Sequence, residues 1–294
     1  MGDYQFHQYL ASKGIYYMHS GKTTPLGIIL IPLFGILGAA FFSVIYAYAT
    51  VYIPFVYLNC LITMGYGFII GKLVIIGVEK GKIRNLKLVL FLAILVAIFA
   101  EYFNWLSWIF AYSKGELFVM SPLEIISILK VIAVFGAWSI KSFVVKGITL
   151  YLVWVAEAAI IMGVIIYYPY ATIKSMPFCE KCNIWIKNKI MISMLEPIID
   201  VESFKSQLER RDYGNLLKLK MVDRNSSAYT VIELLSCPSC RQQYILNVKS
   251  MKVITNSKGK KSSNSKTIIE NLIITEDTYS LIRGLNKVQF DINI

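Results

Sequence analysis

Residues 23–71 read TTPLGIILIPLFGILGAAFFSVIYAYATVYIPFVYLNCLITMGYGFIIG, with no charged side chain between Lys22 and Lys72. A helical membrane span needs about 20 mostly apolar residues, so this stretch has room for two. Pro54 in Thr50-Val-Tyr-Ile-Pro54 marks the turn between them. The first span is predicted over about 26–48 and the second over about 56–76. Working outward, the hydropathy pattern places a third over 86–112 and a fourth over 148–168. Tyr46, Tyr48, Tyr52, Trp105, Trp108, Tyr112, Trp154 and Tyr167 gather near the ends of these runs, as interfacial aromatic belts do.

Composition agrees. At 56% hydrophobic and 16% charged residues, the 294-residue chain is too apolar for an ordinary soluble protein. The first 25 residues are polar and aromatic rather than a short basic region leading into an apolar core, so the first span reads as retained. Residues 1–25 are expected to form an N-terminal cytoplasmic or interfacial segment, in which His7 and His19 read as interfacial side chains rather than ligands. Residues 26–172 are expected to form the transmembrane domain.

Orientation follows from the basic residues. Lys72, Lys80, Lys82, Arg84 and Lys87 crowd the connection between spans two and three, and short cytoplasmic loops collect Lys and Arg. With four spans, both termini then face the cytoplasm. Residues 113–147 become an extracytoplasmic loop, in which an amphipathic helix on the bilayer surface is predicted after Ser121-Pro122, with Glu124 in its first turn. A fifth span over the apolar part of this loop is the rival reading, and it would put the C-terminal residues outside.

Residues 173–294 are soluble and basic in composition, and they carry Cys179-x-x-Cys182 and Cys237-x-x-Cys240. In each pair the two-residue spacer lets both sulfurs point at one ion, and four thiolates match a closed tetrahedral Zn²⁺ site. A reducing compartment favours metal over disulfide. Four sulfurs leave no open coordination position, so a structural zinc is expected rather than a catalytic one. No βαβ unit suggests a thioredoxin-type dithiol. Cys60, in span two, reads as a small apolar side chain.

The two knuckles resemble those of zinc ribbons. Ribbons often carry Gly after the second cysteine, where this chain has Asn183 and Arg241, and the 54 residues separating Cys182 from Cys237 exceed a compact ribbon loop. A subdomain must therefore be inserted, with strands over 183–193 and 229–235 and a polar helix over 200–212. After the second knuckle, strands over 243–255 and 266–275 flank a polar tip, and a helix over 276–284 closes the chain. The whole chain resembles uncharacterised bacterial multi-pass membrane proteins with a C-terminal four-cysteine zinc-ribbon-like domain, which implies a cytoplasmic-membrane location. The expected fold is thus an α-helical membrane bundle followed by a small α+β zinc-ribbon-like cytoplasmic domain.

Two acids interrupt otherwise uncharged spans, Glu101 in span three and Glu157 in span four. Carboxyls at that depth must be protonated, paired or facing a wet cavity. Either they pack the bundle as hydrogen-bonded acids, or with Asn104, one turn from Glu101, they form a proton or cation site. Lys174, Lys181, Lys187, Lys189, Lys258, Lys260 and Lys261 are candidate contacts for anionic lipid headgroups. The 256–265 tip lacks the interleaved aromatics that stack nucleic-acid bases. No Ser-His-Asp set, phosphate-binding Gly loop or His-Glu-x-x-His helix is found, so no enzyme is expected. The reading is an integral membrane protein presenting a zinc-stabilised interaction or regulatory domain to a protein partner. The alternative is a small oligomeric transporter or channel using Glu101 and Glu157.

Overall fold

The computed structural model describes residues 14–53, 55–140, 143–223, 226–255 and 261–290. They divide into two compact units, one of Ser20–Lys174 and one combining the N-terminal residues to His19 with Ser175–Ile294. His7, Pro54, Lys258 and Lys260 lie outside the described residues.

The first unit contains α1 (Pro25–Tyr52), α2 (Val56–Gly81), α3 (Leu86–Tyr112), α4 (Pro122–Phe135) and α5 (Ile148–Ser175), with a hairpin of β1 (Trp138–Ile140) and β2 (Phe143–Val145) before α5. Thr24 opens α1 by accepting from the Gly27 N–H, with Pro25 in the first turn, and the Asn85 side chain opens α3 by accepting from the Leu88 N–H at 3.0 Å. Four helices are long and apolar enough to cross a membrane. Three of them outrun the predicted spans, because hydropathy fades at interfacial residues while nothing yet breaks the backbone. In α2 the helix continues until Lys82 turns left-handed, and in α5 it carries Pro169 within it.

α1 and α2 cross at glycines. A β-carbon on Gly81 would lie 2.2 Å from Gly27 Cα, and one on Gly77 would lie 2.7 Å from Ile31 Cα. Gly35 faces Val96 of α3, and Gly67 and Gly71 face Val164 and Tyr168 of α5, so these small faces serve close packing. Several polar groups within the helical unit are paired in a belt: Ser43 with Ser107 at 2.9 Å, Tyr46 with Thr63 at 3.1 Å, and the Tyr66 hydroxyl reaching the carbonyls of Ala39 and Ala100.

α4 begins where proline was expected to start it, but its 14 residues span only about 21 Å, short of a bilayer core of about 30 Å. It exposes Leu123, Val134 and Phe135 and buries Ile125, Ile132 and Ala133. The β1–β2 hairpin that follows was not foreseen. It begins past Gly136, whose φ of 97° a side chain would strain.

The second unit is built on an antiparallel sheet of order β5-β6-β7-β8: Lys189–Leu195, Ala228–Ser236, Tyr244–Thr255 and Lys261–Ile274. Strand alternation turns Ile232, Leu234, Leu246 and Val248 toward α6 (Val201–Glu209), α7 (Gly214–Leu217) and α8 (Glu276–Phe290), where Phe204, Leu208, Leu216, Tyr279 and Ile282 complete the core. Asp200, at the start of the predicted polar helix, caps α6 through Ser203 N–H. The strand expected over 183–193 is split into β4 (Ile184–Trp185) and β5, since Ile184 pairs with β3 (Phe178–Cys179) while Lys189 pairs with β6. β8 also starts earlier than expected and takes up part of the polar tip.

The N-terminal segment is not a separate element. Ile15 and Tyr17 hydrogen-bond along β8 through Ile273 and Asn271, so described residues before the first membrane helix extend the sheet. Tyr16 donates to Glu209 at 2.6 Å, and its hydroxyl pKa is raised by burial and by that carboxylate.

Candidate metal centre

The first knuckle is the turn joining β3 and β4, in the register Phe178↔Trp185 and Cys179↔Ile184. The second is the turn joining β6 and β7, closed by Cys237 N–H to Gln243 O and Arg241 N–H to Cys237 O, each at 3.1 Å. Asn183 and Arg241, the residues after each second cysteine, have φ of 55° and 50°. The left-handed turn that glycine usually makes is therefore made here by other side chains, at a cost for Arg in particular.

These two turns bring Cys179, Cys182, Cys237 and Cys240 together, with all four sulfurs within 4.8 Å of one another and Cys179 Sγ 3.6 Å from Cys240 Sγ. An ion bound tetrahedrally at about 2.3 Å requires sulfurs about 3.8 Å apart, whereas a disulfide requires about 2.05 Å. The tetrad fits a metal.

Cys179 and Cys237 are fully buried against Ile186, Leu235 and Ile245. Burial pushes the Cys179 thiol up, and burial followed by hydrogen bonds with neighbouring thiols pushes Cys182 to about 11. For Cys237, burial also works upward but is outweighed by the Cys240 and Ser239 backbone N–H groups and neighbouring thiols, so its pKa is lowered. Negative charge is thus favoured at Cys237 and opposed at Cys179 and Cys182. A bound cation would remove that opposition by taking the thiolates as ligands.

Sequence reasoning missed the support around the tetrad. The Phe178 N–H donates to Tyr17 Oη at 3.0 Å, and Phe178 and His19 both stand edge-on to Trp185. His19 also lies 3.3 Å from Tyr17 Oη. It is not among the clustered ligands. No spacing rule links residue 17 to residue 178.

Among the lysines proposed for lipid contact, Lys189 pairs with buried Glu233 at 3.2 Å beside Lys249 at 2.9 Å, and Lys181 donates to Gln242. Lys174 and Lys187 are exposed, and the side chain of Lys261 is outside the description.

The membrane unit holds the other predicted constellation. Asn104 and Glu157 line a cavity of about 250 Å³, while Glu101 does not line it. Cys60 also opens onto this cavity, together with Tyr46, Asn59, Thr63 and four tryptophans.

Comparison of the chain with protein-family models, with curated proteins and with solved structures finds no match.

Proposed function

We propose that this chain is an integral membrane protein that presents a zinc-stapled, zinc-ribbon-like interaction or regulatory module at the cytoplasmic membrane surface. The observation that carries the reading is the closed sulfur tetrad, held by two left-handed turns, in a chain that also has four membrane-length helices. Four thiolates at tetrahedral spacing suit zinc, which structural sites of this kind hold without redox chemistry. With every coordination position taken by sulfur, the ion organises the fold and leaves the surface of the unit to act.

A non-enzymatic role accords with this arrangement. Lys174, Lys181 and Lys187, exposed and basic, suit the headgroup region of an anionic leaflet, and a protein partner would read the remaining surface. Support for the transporter alternative is confined to Glu157 and Asn104, which share a cavity.

The test uses the full chain purified in detergent and the same chain in native membranes. One zinc per chain and a C-terminal reporter active only in the cytoplasm are expected, with crosslinking to a soluble protein that is lost on chelation. A chain purified metal-free yet folded, or a reporter active only outside, would refute the reading.

A further inference from the structure

We propose that the tryptophan-lined cavity of the membrane unit is a binding site for a small organic ammonium ion, with Glu157 as its counter-charge. This goes beyond the metal-stapled module, because it concerns other residues and a separate ligand.

The cavity lies where the C-terminal ends of α1 and α3 meet the N-terminal ends of α2 and α5. Trp105, Trp108 and Trp154 form one wall and pack edge to face, with centroids 5.2 Å apart for Trp105 and Trp154 and 6.1 Å for Trp108 and Trp154. Trp138, on the hairpin strand β1, adds a fourth indole. Mutual packing fixes these rings, so the aromatic surface is already in place before a ligand arrives.

The lining holds one acidic side chain and no basic one. Asn104 is 7% exposed, and its Oδ1 has no hydrogen-bond partner; the buried Oδ1 of Asn59 has none either. Both residues line the cavity. Unpaired buried acceptors cost roughly 1–3 kcal/mol each, so a ligand that turns positive charge or donors toward them is favoured. Glu157 has no Lys or Arg salt bridge among the described residues. Acceptor oxygens, a carboxyl and the negative faces of indole rings thus surround one space, and none of the lining residues carries a positive charge.

One carboxyl and no basic side chain disfavour an anion, and the rest of the lining separates two kinds of cation. A bare divalent ion wants six or more oxygens at short range, which four indoles displace. An alkylammonium ion is held by aromatic faces through cation–π attraction, strongest for tryptophan and strengthened by desolvation. At about 250 Å³ the space lies below the range that holds drug-sized ligands. The ligand class is therefore a small primary or quaternary amine.

The experiment uses the full chain in lipid nanodiscs, titrated with choline chloride. Intrinsic fluorescence reports the site, since four of the five tryptophans line the cavity. Sodium chloride at equal ionic strength and 3,3-dimethylbutanol, the uncharged isostere of choline, are the comparisons. A saturable change is expected with choline alone, and Glu157→Gln, with an unchanged unfolding midpoint, should weaken it by about tenfold or more. The proposal is overturned by no saturable response to choline, by an equal response to the alcohol, or by undiminished affinity in the folded variant. If Glu157→Gln does not fold, the comparison of choline with the alcohol on the unaltered chain still decides.

Discussion

Arg241 offers a sharp test of how the tetrad is held. Its φ of 50° places an L side chain in the left-handed region one residue after Cys240, where its N–H closes the turn onto the Cys237 carbonyl. Such a residue costs about 1–2 kcal/mol relative to an unstrained backbone. Glycine escapes that penalty but loses about 0.5–1 kcal/mol of chain entropy on folding. Replacing arginine also removes a positive charge near a cluster of thiolates, so the informative comparison is Arg241→Gly against Arg241→Ala, which share that loss. Their difference is expected to be about 1 kcal/mol in favour of glycine, or about a fivefold ratio in the opening equilibrium of the knuckle. The assay is the concentration of a chromogenic chelator that withdraws half of the metal from the full chain, and it should be about fivefold higher for the glycine variant. Equal values for the two variants would refute the claim that this turn is strained.

Three further outcomes follow from the same geometry. Cys237→Ser, at a fully buried ligand, should lower bound metal from one ion per chain toward none and raise amide exchange in β6 and β7; elemental analysis and exchange mass spectrometry read both. Glu233 is drawn down by Lys249 and Lys189 against the opposing effect of burial. Its folded pKa lies below the unfolded one, so its contribution is present above about pH 4.5 and is lost as pH falls through the folded value. Glu233→Gln should therefore flatten that acid-side loss of stability in a pH series of unfolding midpoints. Gly81→Ala places a β-carbon against the Gly27 backbone, while Gly65→Ala meets nothing within 4 Å. The first should destabilise the membrane unit by about 1–3 kcal/mol and the second should be neutral or slightly stabilising, as thermal unfolding in detergent would register.

Much of this architecture is legible in the chain because two strong signals carry it. The charge-free run to Gly71 is long enough for two helices of membrane length, and two such helices are what it forms. The two Cys-x-x-Cys pairs announce a shared ligand set, and the distance between them announces the inserted strands and helices. What escaped reading depends on partners remote in sequence. Ile15 and Tyr17 join the edge of β8 beside Asn271, and so short an edge segment carries no periodicity to detect. Asn271, itself at φ 60°, offers its N–H to Asn247 Oδ1 at 2.6 Å, a bulge in β8 that alternation would smooth over. The apolar stretch before β1 suggested either a surface helix or a fifth span; the helix it forms has 14 residues and ends at Gly136, a boundary that hydropathy alone does not mark.

The distribution of satisfied and unsatisfied polar groups in the membrane unit bears most directly on where activity resides. Ser43, Ser107, Thr63, Tyr46 and Tyr66 are all paired, as bundle packing in lipid demands. Had Asn59 and Asn104 served packing alone, their carbonyl oxygens would be expected to take part in the same belt. Instead both oxygens are left without partners, as is Glu101 Oε1, and the two asparagines border a cavity that Glu157 and four indoles also line. The sulfur tetrad thus brings the two knuckles of the sheet unit together, and two of the open acceptors of the helical unit border the cavity proposed to take a ligand.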